Sequence, residues 1–179
     1  MKKDTTLETQ KYEVIYADPP WKYDFVKSKS RKIENKYPTM DLEEIKNLQV
    51  PSEDNCILFM WATAPKLEEA FEVINAWGFK YKTCAVWDKE SIGMGYWFRG
   101  QHEILLVATK GKMSPPPNPI SSIIKNKRRE HSRKPDFIRT LISTWYPNET
   151  KIEMFSRSHF EGWNVFGNQI PEYTQKILK

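Results

Sequence analysis

The segment that most directly indicates chemistry is an Asp-Pro-Pro-Trp sequence at 18–21, immediately after a short apolar run at 12–17. Pro19 biases Asp18 toward an extended backbone, and each proline fixes its own φ at about −65° while removing a backbone donor. The segment therefore predicts a stiff ledge that offers only acceptors, the Asp18 carboxylate and the adjacent carbonyls, with Trp21 as a flat wall. An ordinary turn with Trp21 in the core is the alternative that the tetrapeptide leaves open.

A ledge of this kind suits a planar base that carries an exocyclic amine. The lone pair on N(6) of adenine is delocalised into the ring, so this amine is a poor nucleophile. Acceptors for both of its N–H bonds favour a pyramidal nitrogen and place negative potential where positive charge develops as the nitrogen attacks. An aromatic face stacked on the base contributes about 1–3 kcal/mol. We therefore predict catalytic roles for Asp18, Pro19, Pro20 and Trp21, with Trp21 also contacting the substrate.

The surrounding periodicity predicts an α/β fold that places this ledge at the end of a strand. Short runs rich in β-branched and aromatic residues are typical of strands buried on both faces. Apolar residues at helical spacing predict helices between them, one of which ends at Gly78 and another of which begins at Pro135. Strands alternating with helices indicate a doubly wound, mainly parallel sheet. The predicted strands are 12–17, 56–62, 82–87, 103–109 and 151–155, and the predicted helices are 41–48, 66–77 and 135–145.

Two details of this pattern bear on the site. No convincing helix separates 82–87 from 103–109, so we expect one antiparallel strand there. In open α/β sheets, ligands bind outside the carboxyl ends of the strands, which is where Asp18 stands. His102 and Glu103, at the start of the predicted strand 103–109, are further candidates for the same cleft.

Composition bounds the class of protein. The 179 residues predict a single domain over residues 1–179, and the net charge of +5 is compatible with a polyanionic partner. Cys56 and Cys84 stand apart without metal-ligand spacing, so we expect no metal and a reducing compartment. The first ten residues lack the apolar stretch of a signal peptide, and 56–62 is too short to cross a bilayer. We therefore expect a soluble cytoplasmic protein that does not enter membranes.

Long basic segments follow two of the predicted strands, at 22–38 and 110–134. Loops of that length in a compact domain are usually functional or disordered. The second segment ends in ten residues, 125–134, with six cations and one acid. Such a run is either a solvated loop or, beside a cleft, a surface that contacts the phosphate backbone. The basic segment 27–32 offers phosphate contacts on the other side of the cleft. The candidates for phosphate contacts are Lys127, Arg128 and Arg129.

Taken in order, these motifs resemble the class β adenine N(6)-methyltransferases. The resemblance is closest to the family named for the seventy-kilodalton subunit of the messenger-RNA adenosine methyltransferase, in a form like its prokaryotic and phage members. It covers nearly the whole chain and implies a Rossmann-like class I methyltransferase fold, with helices on both faces and a permuted motif order. That order explains the missing glycine-rich G-x-G-x-x-G turn. The matching segments are 18–21, 37–40, 56–89, 101–112, 131–138 and 151–170.

The resemblance also implies S-adenosylmethionine as methyl donor, beside Asp18. Lys134 is expected at the methionine carboxylate, a role that its place beside a helix N-terminus favours. Arg157 and His159 are expected near the ribose and methionine portions, and Phe160 stands where some family members have an asparagine. A solvated lysine and a surface histidine are the alternatives for Lys134 and His159.

Further assignments concern the two adenine rings. Asn168 and Gln169 match the pair that reads the adenosine of the cofactor, where their amides offer a donor and an acceptor; a turn with a helix cap is the alternative. Longer family members carry an acidic contact to that adenine well before the Asp-Pro-Pro-Trp segment. We find no matching acid among the residues before Asp18. Tyr37 either lines the base pocket or anchors its loop. Because reaction inside a duplex requires base flipping, Trp21 and Tyr37 are expected to receive the extruded adenine.

The resulting prediction is an S-adenosylmethionine-dependent adenine N(6)-methyltransferase acting on nucleic acid, as a monomer, a homodimer or with a partner subunit. DNA is expected before RNA, because a compact chain of this kind resembles prokaryotic or phage enzymes. The alternatives are an RNA adenosine N(6)-methyltransferase and a non-catalytic nucleic-acid-binding partner within a heterodimer. Silent partners typically lose the aspartate or the tryptophan, and both are present here. A methyltransferase for small amines would leave the basic segments without a role.

Overall fold

A computed structural model describes residues 10–23, 38–95, 97–128, 133–156 and 158–167. Five of the predicted site residues lie outside this part of the chain: Tyr37, Arg129, Arg157, Asn168 and Gln169. A short 3-10 helix, Ala64–Lys66, leads into the second α-helix. The elements in chain order are β1 (Tyr12–Ala17), α1 (Leu42–Lys46), β2 (Ser52–Ala62), α2 (Leu67–Ala76), β3 (Lys80–Asp88), β4 (His102–Lys110), β5 (Ile123–Lys125), α3 (Phe137–Trp145), β6 (Lys151–Met154) and β7 (Asn164–Phe166).

Seven strands form one mixed sheet in the order β5-β3-β4-β2-β1-β6-β7. β4 runs antiparallel to both of its neighbours, β2 and β3, whereas the other four pairings are parallel. The predicted mainly parallel sheet with one antiparallel strand is therefore confirmed, as is the Rossmann-like class. The reversal of β4 fits the connection after β3, residues 89–101, whose described part holds no helix that could carry the chain back across the sheet.

Helices cover both faces of this sheet. Alternate residues of the central strand β2 belong to two separate buried clusters, with Leu58 and Met60 on one face and Phe59 and Trp61 on the other. The first cluster is closed by α1 and α2, and the second by α3. Strands that are apolar on both faces need this double cover, which explains why the predicted strands read as continuous apolar runs.

Local signals fixed most boundaries. Gly78 adopts a φ of +79° directly after α2 and its C-cap residue, as expected for a glycine that ends a helix. The side chain of Glu44 accepts a hydrogen bond from the backbone N–H of Asp41 at 2.7 Å, half of a capping box at the start of α1. Two three-residue edge strands, β5 and β7, were not predicted, because such short segments carry too little periodicity.

The described part of the chain contains no helix with the length and apolar character needed to span a bilayer. Cys56 is fully buried, and burial raises the pKa of its thiol to about 12, so this cysteine packs as a small apolar residue.

Candidate active site at the carboxyl edge of the sheet

The fold gathers polar side chains from distant parts of the chain at one edge of the sheet. Asp18 directly follows β1, and its backbone N–H points to the carbonyl of Met154 at the end of β6 (3.5 Å). Glu103 lies near the start of β4, which reaches the same edge because this strand is reversed. Lys134 stands just before α3. The edge therefore collects side chains from strand ends, a strand start and a helix start.

These side chains form a chain of four alternating charges. The Lys134 Nζ lies 2.8 Å from Asp18 Oδ2 and 3.1 Å from Glu103 Oε2. The other oxygen of Glu103, Oε1, is 3.4 Å from the Nζ of Lys89. The side chains of Lys134 and Glu103 are only 13% and 14% exposed, whereas Asp18 retains 27%. Asp18 is thus the member of this ion-pair chain that solvent reaches most easily.

The charge states of the chain follow from its geometry. Burial alone would lower the pKa of Lys134, but the carboxylates of Asp18 and Glu103 outweigh it and raise that pKa above its usual value. Burial likewise opposes ionisation of Glu103, yet Lys134 and Lys89 hold the pKa of Glu103 below its usual range. A permanently charged lysine therefore faces Asp18. The ring centre of Trp61 lies 5.8 Å from the Nζ of Lys134.

A pH experiment tests this electrostatic reading. Because the pKa of Glu103 is lower in the folded chain than its value of about 4.3 in an unfolded one, ionised Glu103 stabilises the fold above that pH. This contribution disappears as the pH falls through the folded pKa. We expect the Tm of the unsubstituted protein to exceed that of Glu103→Gln at neutral pH, with the difference shrinking as the pH falls below about 4.3.

Thermal denaturation followed by circular dichroism between about pH 3 and 7 measures this difference. Glu68→Gln, an exposed position in the first turn of α2, is the matched control and should show little difference at any pH. A Glu103→Gln difference that does not change with pH would mean that packing, not charge, accounts for the loss.

The prolines of the ledge are held in place by backbone hydrogen bonds. The carbonyl of Pro19 accepts from the N–H of Trp21 at 2.8 Å, and the carbonyl of Pro20 accepts from the N–H of Met40 at 3.0 Å. Each carbonyl has a second lone pair, so both still can accept from a substrate. Met40 belongs to the segment 37–40, so the structure brings together the two segments that sequence resemblance placed at the active site.

Trp21 lies deeper than a solvent-facing wall. It is only 5% exposed, packs in the buried cluster with α1 and α2, and donates its indole N–H to the carbonyl of Trp61 at 3.2 Å. This is the core position that the tetrapeptide left open as an alternative. In this structure Trp21 anchors the ledge, and its contact with a base stays a prediction.

A second group of charges lies beside the ion-pair chain. Arg139 on α3 pairs with Glu153 on β6 at 3.0 Å and with Asp136 at 2.8 Å. The guanidinium carbon of Arg139 also sits 4.8 Å from the ring centre of Phe160. Glu153 therefore orients a neighbouring arginine, and Phe160 supports that arginine where some family members have an asparagine.

The remaining predicted residues lie near the surface. Lys127 and Arg128 are exposed, and they follow β5, whose carboxyl end is at the same edge. His159 is also exposed, beyond the end of β6. Among the described residues, no group of three or more His, Cys, Asp or Glu side chains is placed to hold a metal ion.

Sequence reasoning missed two cations of this site, Lys89 and Arg139. Lys89 directly follows β3, and a lysine at the carboxyl end of a predicted strand is a signal that could have found it. Arg139 stands in the first half of α3 and resembles an ordinary surface arginine until its partner Glu153 is known. Arg139 and Glu153 come within ion-pair distance only in the folded chain, where α3 and β6 lie close together.

Comparison with known proteins places this geometry in context. Residues 12–169 match the MT-A70 family. The chain is 38% identical to the type II methyltransferase M.MunI of a Mycoplasma species over 93% of its own length and 81% of that protein. It is 31% identical to the N(6)-adenosine-methyltransferase MT-A70-like protein of Arabidopsis thaliana and 30% identical to the human N(6)-adenosine-methyltransferase catalytic subunit METTL3. The chain spans only 24% and 28% of these two proteins. With its ordered motifs, its mixed sheet and the Asp-Pro-Pro-Trp ledge at the carboxyl edge, this chain belongs to the MT-A70 family.

Proposed function

We propose that this chain transfers a methyl group from S-adenosylmethionine to the N(6) amine of adenine in nucleic acid, with DNA as the preferred substrate. The observation that carries the proposal is the position of Asp18: a partly exposed carboxylate at the end of a buried parallel strand, fixed at 2.8 Å from Lys134. An acceptor held this rigidly suits a reaction in which positive charge develops on a nitrogen.

The residues of the chain act mainly through electrostatics. The Asp18 carboxylate and the Pro19 and Pro20 carbonyls present negative potential to the amine and direct its lone pair outward. With the Nζ of Lys134 at 2.8 Å, Asp18 acts as a fixed negative charge and not as the base that removes the proton. The amine therefore keeps its protons until the nitrogen has formed its new bond, and the surplus proton then passes to water. Asp18 stabilises the charge that accumulates in between.

The residues around Lys134 fit the proposed methyl donor. An amino-acid head group carries a carboxylate and an ammonium, and here a buried cation stands between two carboxylates, Asp18 and Glu103. Lys134 would hold the carboxylate of the cofactor, and the acidic side chains would hold its ammonium. When bound, the cofactor supplies an electrophilic methyl group on a sulfonium. Arg157, His159, Asn168 and Gln169 are the further proposed contacts.

DNA is preferred over RNA in this proposal for two reasons. Identity with the Mycoplasma type II methyltransferase, at 38%, is higher than with the N(6)-adenosine-methyltransferases, and the match extends over 81% of that protein. The relatives named for adenosine, the ribonucleoside, match over only about a quarter of their length.

Methyl transfer from a radiolabelled donor to a panel of single- and double-stranded DNA and RNA tests the proposal. The modified nucleoside is then identified by mass spectrometry after enzymatic digestion. N(6)-methyldeoxyadenosine is the expected product. Labelled N(6)-methyladenosine from the RNA samples alone would overturn the choice of DNA, and no labelled nucleoside from any sample would contradict the activity.

The exposed cations after β5 are proposed to follow the phosphate backbone. Reversing the charge of Lys127 and Arg128 together should weaken oligonucleotide binding and flatten its dependence on salt, with the slope of log K against log[salt] reduced by about 2. Fluorescence anisotropy of a labelled oligonucleotide between about 50 and 200 mM salt measures that slope.

Lys80→Glu combined with Lys82→Glu is the matched control. Both residues are exposed at the start of β3, at the opposite edge of the sheet, and both double variants lower the formal net charge from +5 to +1. Equal slopes for the two double variants would show that only overall charge matters.

A further inference from the structure

The connection between β3 and β4 presents large apolar side chains to solvent. We call the described residues 91–95 and 97–100 the apolar loop. Within it, Trp97 is 95% exposed, Phe98 89%, Met94 77% and Ile92 70%. These are the four most exposed large apolar side chains in the described part of the chain. Clustered exposure of this kind marks binding surfaces more often than it marks incidental surface.

The apolar loop is folded into a defined shape. The N–H of Gly93 donates to the carbonyl of Gly100 at 2.7 Å, and the N–H of Gly100 donates to the carbonyl of Met94 at 3.2 Å. Arg99 closes the loop through its Nε, which donates to the carbonyl of Gly93 at 2.8 Å. A Cβ atom at position 95 would clash with the backbone carbonyl oxygen of Phe98, so only glycine fits there. The exposed rings are therefore carried by a close-packed turn.

This loop stands at the same edge of the sheet as Asp18. Its stem residue Lys89 pairs with Glu103, which pairs with Lys134, which in turn pairs with Asp18. Three successive ion pairs thus connect the base of the apolar loop to the catalytic carboxylate. The stem of the apolar loop is therefore linked to Asp18 through side-chain contacts on one edge of the sheet.

Cations border the loop on one side. The N–H of Arg128 donates to the carbonyl of Lys89 at 3.3 Å, so the exposed Lys127 and Arg128 run beside the stem of the loop. Exposed aromatic rings next to cations are the usual means of binding an unpaired nucleic-acid strand, through base stacking and phosphate contacts. The core of a protein–protein interface, by contrast, is depleted of lysine. Charge complementarity therefore favours a nucleic acid as the occupant.

We propose that Trp97 and Phe98 stack on bases next to the target adenine and hold the strand open while that adenine occupies the site at Asp18. The proposal rests on the proposed function, because it takes the reacting group to be a base that must leave its stack. Apolar side chains that insert between base steps are known to unstack them, and an aromatic ring can then stack on the separated base.

Binding and fluorescence test the proposal without the methyl donor. The probe is a single-stranded deoxyadenosine oligonucleotide of about 20 nucleotides. Replacing Trp97 or Phe98 with alanine should weaken its binding by roughly tenfold for each ring removed, whereas Trp97→Phe should stay within about threefold. Phe71→Ala, which removes a ring in edge-to-face contact with Tyr81 near the start of β3, is the matched control and should bind as the unsubstituted protein does.

Acrylamide quenching gives a second measurement. All seven tryptophans are described, and five are at most 7% exposed, so collisions with acrylamide report mainly on Trp97. Saturation with the oligonucleotide should lower the quenching constant of the unsubstituted protein by about half and leave that of Trp97→Ala nearly unchanged. Unchanged affinity in the double alanine variant, with no shielding of Trp97, would overturn the proposal.

Sedimentation velocity tests whether a second copy of the protein, and not a nucleic acid, occupies the apolar loop. A dimer that the double alanine variant converts to a monomer, with oligonucleotide affinity retained, would assign the loop to a protein interface and contradict the proposal. Methylated DNA together with unchanged affinity in the double variant would leave the proposed function intact and refute only this inference. Weakened binding without any methylation would support this inference and contradict the proposed function.

Discussion

Replacing Asp18 with alanine or asparagine is expected to abolish methyl transfer, lowering kcat by about a thousandfold or more. Removal of a single preorganised electrostatic group in an active site typically costs about 10²–10³ in kcat, and Asp18 is proposed to be the only full negative charge that faces the amine. The fold should survive, because Lys134 keeps Glu103 as a partner at 3.1 Å. The Kd of the cofactor should change by only a few fold, because Lys134 and Glu103 remain to hold its carboxylate and its ammonium.

Single-turnover methylation and isothermal titration with S-adenosylmethionine measure the two quantities separately. Asp54→Asn is the matched control, since Asp54 is exposed near the start of β2, at the far edge of the sheet. Full activity in Asp18→Asn would disprove the role assigned to this carboxylate. A loss confined to cofactor affinity would make Asp18 a binding residue instead.

Replacing Lys134 with glutamine is expected to weaken cofactor binding by about tenfold to a hundredfold. A charge-assisted hydrogen bond contributes about 1.5–3 kcal/mol, which corresponds to this range. The same change leaves the carboxylates of Asp18 and Glu103 without the cation between them. Breaking a buried ion pair costs up to about 3–5 kcal/mol, so we also expect a lower Tm at neutral pH. Part of that loss should return on acidification, because both carboxylates then become neutral.

Titration calorimetry and thermal denaturation at about pH 4 and 7 measure these effects. Lys151→Gln is the matched control: this lysine is also buried, at 8% exposure, but it lies at the start of β6, at the opposite edge. Lys151→Gln should leave the Kd of the cofactor unchanged. If both lysine variants bind the cofactor equally well, Lys134 has only a structural role.

The sequence predicted the central elements well because their signals are local. The runs at 12–17 and 56–62 became β1 and the last seven residues of β2, and the helix at 66–77 became α2 with its preceding turn. Each is an apolar run or an apolar stripe that lies within one short window of the chain. The antiparallel strand was also predictable, because it required only the absence of a helix after β3.

The site was predictable only in part. Asp18 and Lys134 were named from motifs, but nothing in the sequence indicated that their side chains meet across 116 positions. Lys89 and Glu103 join them only because β4 is reversed beside β3 and β2. The depth of Trp21 was equally hidden, since burial depends on α1 and α2, which pack over it. The apolar loop has no strand or helix period, because glycines interrupt its large residues.

The reversal of β4 has a consequence for how such a protein can diversify. A right-handed crossover would have carried the chain behind the sheet, but a hairpin carries it outward on the reactive side. Lengthening or shortening that hairpin changes only what stands in front of the base, and it leaves the buried layers as they are. Preference for a target could therefore evolve through insertions at this single turn, at no cost to the scaffold that performs the chemistry.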